Sequence, residues 1–152
     1  MTRTLPAVAL TCAIAALLSV APTAEILAAD ASNPTVQARK EAMRAIGADT
    51  KTLGDMAKGK IPFDATVAQA AASNMASQAA EIPALFEAQE DDPVSKAKAE
   101  IWDNWEDFVS KGEALEIAAT NAASSITDQA SLGPALQSIG GSCNSCHTPY
   151  QE

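Results

Sequence analysis

Apolar side chains recur at intervals of three and four residues from about residue 34 to the end of the chain, a spacing typical of amphipathic α-helices. Residues 34–58 predict a first helix, with Asn33 or Ser32 as its N-cap and with Gly59 and Pro62 ending it. Its inward-facing positions follow heptad spacing and are Val36, Arg39, Met43, Ile46, Thr50, Leu53 and Ala57. We therefore expect one face of this helix to lie in a core.

Three further helices are predicted, and a polar loop over residues 87–95 follows the first of them. Asp64 caps that helix at its start, and Pro83 disturbs it near its end. The predicted ranges of the three helices are 64–86, 96–123 and about 131–150. Four amphipathic helices with mostly short connections predict an all-α fold, an antiparallel up-down-up-down four-helix bundle with a cofactor between facing helices.

The first 29 residues have the layout of a secretory signal peptide, with a basic start, an almost wholly apolar run from residue 5 to residue 20, and small residues at the end. We predict cleavage after Ala29, with Ala31 as the next candidate, which leaves one domain over residues 30–152. The alternative is an uncleaved membrane anchor. It is disfavoured because the apolar run is interrupted by proline and is shorter than the roughly 20 residues that span a bilayer.

Near its end the chain carries the pentapeptide Cys143-Asn144-Ser145-Cys146-His147, where its single histidine meets two of its three cysteines. On a helix, cysteines three residues apart and a histidine four residues after the first cysteine share one face. Two thiols add across the vinyl groups of a porphyrin, and the imidazole reaches the iron. The motif therefore predicts covalent attachment of one haem c through Cys143 and Cys146, with His147 as an axial ligand.

A redox-active dithiol, a zinc site and chance are the alternative explanations of these cysteines. A redox dithiol is expected at the start of a helix, where a thiol pKa is lowered, whereas these cysteines close a helical run. A tetrahedral zinc site needs a fourth nitrogen or sulfur ligand. The chain has no other histidine, and its one remaining cysteine, Cys12, lies in the predicted signal peptide. Haem attachment is therefore favoured.

The sixth iron position is predicted to hold methionine, a weaker group or nothing, because the chain has no second histidine. In an antiparallel bundle the end of the fourth helix lies beside the start of the first, which favours Met43. Met56 is about 20 Å further along the first helix at 1.5 Å per residue, too far to reach the same iron. Met75, on the second helix, has less support. The alternative for Met43 is that it only fills the core.

Arg39 lies one turn before Met43 on the same inward seam, where a cation is costly unless an anion meets it. We predict a haem propionate as that anion. The alternative is that the guanidinium extends to solvent between helices. Trp102 is a further candidate for contact with the haem, against the alternative of plain core packing.

Residues 30–152 contain 18 acidic and 9 basic residues, so the predicted mature domain is strongly acidic. Nucleic acid is therefore disfavoured as a partner. A redox partner protein would complement this charge with a basic or mixed patch, although acidity can also serve solubility alone. Export agrees with haem attachment, because exported thiols can receive haem before disulfides form. We predict the bacterial periplasm, with no membrane attachment after cleavage.

Over the whole predicted mature region the chain resembles the class II c-type cytochromes, the cytochrome c′ family, including its low-spin cytochrome c-556-like branch. The residues that carry the resemblance are Cys143-Asn-Ser-Cys146-His147 near the C-terminus, Arg39 with Met43, the run Lys58-Gly-Lys-Ile-Pro-Phe-Asp64, and Ile101-Trp102 with Phe108. The resemblance implies a four-helix bundle with haem c, frequently a homodimer packed through its first two helices. The chain departs from the usual ending of the family, since Gln151 rather than arginine follows Tyr150.

Two functions follow from the resemblance, and they differ at Met43. If Met43 is the sixth ligand, the protein is an electron carrier that exchanges electrons with periplasmic redox partner proteins. If Met43 only covers a vacant iron face, the protein binds nitric oxide or carbon monoxide. Enzymatic turnover such as peroxidase chemistry ranks last because there is no second histidine for acid–base work, so we predict that the protein is not an enzyme.

Overall fold

The computed structural model describes Met1 and residues 30–152, and the remainder of the predicted signal peptide lies outside the described residues. In chain order the helices are α1 (Pro34–Ala57), α2 (Ala65–Ala80), α3 (Ile82–Phe86), α4 (Glu100–Asp103), α5 (Trp105–Ser125) and α6 (Leu132–Tyr150). The four long helices form the antiparallel bundle, in which α2 packs on α1 and α5, and α6 packs on α5 and α1. The predicted fold class is confirmed.

The helix ends follow the signals in the sequence. Asn33 caps α1, where its side-chain oxygen accepts hydrogen bonds from the first-turn N–H groups of α1, and Asp64 caps α2 by accepting from Val67 N at 3.0 Å. Gly59, with a φ of +67°, turns the chain after α1. Pro83 divides the second predicted helix into α2 and α3, because proline has no N–H for the carbonyl four residues earlier.

The third predicted helix begins later than expected and is broken. Its first regular residue is Glu100 rather than Lys96, because the preceding backbone pairs with the end of the chain: Lys98 N donates to Tyr150 O at 3.0 Å and Glu152 N donates to Lys96 O at 2.9 Å. Asn104, with φ −125° and ψ 44°, separates α4 from α5. Sequence periodicity missed the late start because these pairings join distant parts of the chain.

The core lies between the four long helices. The buried residues of α2 and α5 are largely alanines, which allows these two helix backbones to pack closely. The largest fully buried side chains come from the bundle helices, the short helix α4 and one connection, and they include Leu53, Met75, Ile101, Ile126, Leu132 and Ile139. None of the described helices has the length and hydropathy needed to cross a bilayer.

Candidate functional site

A cavity of about 590 Å³ opens between the start of α1, the segment before α4 and the end of α6. This volume lies within the range of about 300–1,000 Å³ that small-molecule and cofactor sites occupy. Most of the wall is apolar, and the residues on it include Val36, Met43, Ile82, Phe86, Val94, Ile101, Phe108, Cys146, His147 and Tyr150. The bundle therefore leaves part of its interior unfilled at the end that carries the cysteine motif.

The predicted haem-attachment residues Cys143, Cys146 and His147 lie in the last turns of α6. Both Cys143 and Cys146 are free thiols and half-buried. Cys146 and the exposed His147 lie on the cavity wall, and Cys143 packs against the core one turn earlier. Burial raises the pKa of both thiols, and for Cys146 the nearby ammonium of Lys111 offsets part of this rise in pKa. Raised thiol pKa values argue against a redox dithiol, which needs a readily formed thiolate.

Met43 reaches the same cavity from α1. Its side chain is half-buried and lies on the wall together with His147. The other two methionines of residues 30–152 are elsewhere: Met56 is 2% exposed and Met75 is fully buried, and neither lies on the wall. Of the three, Met43 is therefore the methionine that the fold brings to the cysteine–histidine motif.

Arg39 is buried beside the cavity, with only 3% of its surface exposed. Its Nε donates to Leu85 O at 2.9 Å and its Nη1 donates to Glu90 O at 2.8 Å, while Nη2 donates to Ala88 O. Burial lowers the pKa of the guanidinium, and the carboxylates of Glu90 and Asp91 offset part of that shift. The expected alternative, extension of the side chain to solvent, is wrong because packing encloses the group. Contact with a haem propionate stays a prediction.

Trp102 lies beside Arg39 and outside the cavity wall. Its indole Nε1 donates to Phe86 O at 2.8 Å, and the guanidinium carbon of Arg39 is 5.6 Å from its ring centroid. The structure therefore gives Trp102 a packing position next to Arg39, and direct contact with the haem stays a prediction without structural support.

Tyr150 and Phe108 are wall residues that were not among the predicted haem contacts. The Tyr150 hydroxyl donates to Asp107 Oδ2 at 2.5 Å, and this bond raises the pKa of Tyr150 to about 12. The ring of Tyr150 meets that of Phe108 edge-on, with centroids 5.4 Å apart. For Tyr150, helical spacing from Cys143, Cys146 and His147 is the feature of the sequence that indicates a position on the same face of α6.

Sequence reasoning also missed the contribution of the segment before α4. Residues 93–97 lie on the cavity wall, although residues 87–95 were predicted to be a polar loop and residues 96 and 97 the start of a helix. The only local signal is the pair Pro93-Val94, which directly follows a run of three acidic residues.

The family model described as Cytochrome C′ matches residues 34–151, which include every helix described above. The chain belongs to the cytochrome c′ family. It is 35% identical over 122 residues to cytochrome c-556 of Agrobacterium tumefaciens (strain apple 185), an alignment that covers 80% of this chain and 97% of that protein. It is also 35% identical to cytochrome c-554 of Cereibacter sphaeroides, over 99% of this chain and 98% of that protein.

Solved structures of cytochrome c′ have the same fold. The structure of cytochrome c′ from Rhodopseudomonas palustris superposes on this chain with a TM-score of 0.71 at 30% sequence identity. The superposition covers 79% of this chain and 97% of that chain. The cytochrome c′ fold and the cysteine–histidine motif of this chain together support a haem cofactor.

The cofactor is one haem c, attached through Cys143 and Cys146. The residues present fit that group, because two free thiols stand on one face of α6 beside a mostly apolar cavity. A buried cation, Arg39, lies at the same cavity, where the anionic part of a porphyrin would be compensated.

Proposed function

We propose that the protein is a periplasmic electron carrier in which His147 and Met43 are the axial ligands of the haem iron. One observation supports the proposal above the others: Met43 from α1 and His147 from α6 lie on the wall of the same cavity, next to Cys146. When bound, the haem supplies a couple of ferric and ferrous iron that carries one electron.

The roles of the protein residues follow from their positions. An imidazole and a thioether bind iron in both oxidation states, so His147 and Met43 would keep the coordination number constant, and little structure would rearrange on electron transfer. The apolar wall residues Phe86, Ile101 and Phe108 would exclude water from the cofactor. Arg39 would meet a propionate with N–H groups that are not directed at its three carbonyl partners.

Location, partners and assembly complete the proposal. The signal-peptide layout of residues 1–29, cleaved after Ala29, directs the chain to the periplasm. The acidic surface of residues 30–152 suits a redox partner protein with a basic or mixed patch. A homodimer through α1 and α2 would cover Val67, an apolar side chain that is 47% exposed at the start of α2. The single histidine is committed to the iron, so the proposal includes no enzymatic acid–base chemistry.

The decisive experiment compares two methionine variants of the holoprotein by visible absorption. Met43→Leu removes the proposed ligand, and Met56→Leu is the matched control, a buried methionine of the same helix away from the cavity. We expect the wild type and Met56→Leu to show a low-spin spectrum with a weak far-red ferric band and slow carbon monoxide binding. Met43→Leu should lose the band and bind carbon monoxide rapidly.

The opposite pattern would refute the assignment. A wild-type protein with a broad high-spin spectrum and rapid carbon monoxide binding, little changed by Met43→Leu, would show that Met43 only covers a vacant iron face. The protein would then be a binder of nitric oxide or carbon monoxide.

A further inference from the structure

Residues 87–99, here called the strap, form one side of the cavity between α1 and the end of α6. Five consecutive strap residues, 93–97, lie on the cavity wall. The strap forms no long helix of its own. Its position must therefore come from the groups that fasten it to the bundle.

Arg39 is the first of these groups. Its guanidinium donates to the carbonyls of Leu85, Ala88 and Glu90, so one side chain of α1 holds the end of α3 and the beginning of the strap. The guanidinium carbon also lies 4.6 Å from the ring centroid of Phe86. A planar group with several fixed N–H directions suits three separate carbonyls in a way that a lysine ammonium does not.

Asp92 is the second group. Its Oδ2 accepts from Ser32 N and Ser32 Oγ at 2.8 Å and from Asn33 N at 3.0 Å, and its Oδ1 accepts from Val94 N at 3.0 Å. These bonds lower the pKa of Asp92 to about 2, so the carboxylate is ionised at neutral pH. A single buried side chain in the strap thus ties the strap to the start of α1 and turns the backbone toward Val94, a wall residue.

The other end of the strap is tied to α6. Ala97 forms an antiparallel bridge with Gln151, and backbone bonds join Lys96 to Glu152 and Lys98 to Tyr150. The strap therefore links the start of α1, which carries Met43, to the end of α6, which carries His147. Loosening either end would free the side of the cavity that lies between these two residues.

We propose that Arg39 and Asp92 are positioning residues that fasten the strap and thereby limit the entry of small diatomic ligands into the cavity between Met43 and His147. This inference rests on the proposed function in one respect, namely that the cavity holds the haem with Met43 and His147 on its two faces. Arg39 then fastens the strap in addition to any contact with a propionate, and Asp92 supports the site by fastening the same segment.

The test measures the rate of carbon monoxide binding to the ferrous holoprotein. Arg39→Lys and Asp92→Asn loosen the strap, and the matched controls are Arg44→Lys, an exposed arginine of α1 near Asp30, and Asp55→Asn, a carboxylate paired with lysines at the far end of α1. We expect about a tenfold faster rate in both strap variants, as the loss of one or two charge-assisted hydrogen bonds would give, and no change in the controls.

Deletion of Gln151 and Glu152 tests the same inference at the other end of the strap. This variant replaces Arg39→Lys in the test if Arg39→Lys does not fold. It removes the bridge to Ala97 and the bond to Lys96 O, so we expect a faster rate here too. Rates equal to those of the controls in Asp92→Asn and in the deletion variant would overturn the inference.

The far-red ferric band of the wild type separates this inference from the proposed function. If the band is present but the strap variants bind carbon monoxide at the control rate, the inference fails and ligation by Met43 stands. If the band is absent but the strap variants still bind faster, ligation by Met43 fails and the strap still controls entry.

Discussion

Phe108 joins three aromatic side chains beside the cavity, and its replacement by leucine gives a quantitative test of how the site is supported. The side chain is 3% exposed, and its ring lies 5.0 Å from Phe86, 5.7 Å from Trp105 and 5.4 Å from Tyr150, measured between centroids. These neighbours come from α3, α5 and the end of α6, so one residue links three of the helices that surround the haem site.

The expected cost follows from these contacts. Each aromatic pair contributes about 0.5–1.5 kcal/mol beyond the burial of its area. Leucine still fills part of the space, so the loss stays below the about 3–5 kcal/mol typical of replacing phenylalanine by alanine. We therefore expect Phe108→Leu to lower the free energy of unfolding by about 2–3 kcal/mol.

The assay is guanidinium unfolding of the holoprotein, followed by far-ultraviolet circular dichroism. Phe63→Leu is the matched control, because Phe63 is a half-buried phenylalanine in the connection before α2. We expect it to cost less than about 1 kcal/mol, in line with a conservative apolar replacement outside the core. A Phe108→Leu protein no less stable than Phe63→Leu would refute the idea that this aromatic cluster supports the site.

Three further predictions concern backbone conformation and pH. Gly59→Ala should destabilise the protein by about 1–2 kcal/mol because of its positive φ. Gly47→Ala, in the interior of α1 with open space at its Cβ position, should stabilise it by up to about 1 kcal/mol, both measured by thermal unfolding. Tyr150 is the only tyrosine, and a raised pKa of about 12 means that its hydrogen bond to Asp107 contributes stability below about pH 10 that is lost as the pH rises toward 12. An ultraviolet titration against Tyr150→Phe should show this pKa, and Asp107→Asn should lower it toward 10; an unchanged value would contradict the role of the bond.

The helices and the cofactor were predictable because their signals are local. Asn33, Gly59 and Asp64 lie directly at the helix ends that they cap or terminate, and the heptad spacing of α1 was read within a single segment. The haem-attachment motif occupies five consecutive residues, and the family comparison agrees with it. Among the three methionines of the predicted mature chain, the expected antiparallel topology favoured Met43, which the structure places on the cavity wall.

The surroundings of the site were less predictable, because they depend on residues far apart in the chain. The start of the third predicted helix was placed too early because residues 96–98 pair with the chain terminus. Arg39 was correctly placed on the inward seam, but its carbonyl partners lie at the end of α3 and just after it, so they could not be found from α1 alone. Asp92 lies in the predicted polar loop over residues 87–95, although its side chain is buried in the structure.

By itself the sequence determined an all-helical chain with a haem-attachment motif at the end of its last helix, since helix periodicity, capping and the chemistry of two thiols and an imidazole act over a few residues. Only the tertiary structure decided which partners Arg39 has and how the strap is held. Those outcomes require contacts such as that between Ser32 and Asp92, 60 residues apart, which form only when the bundle packs and buried polar groups must find partners.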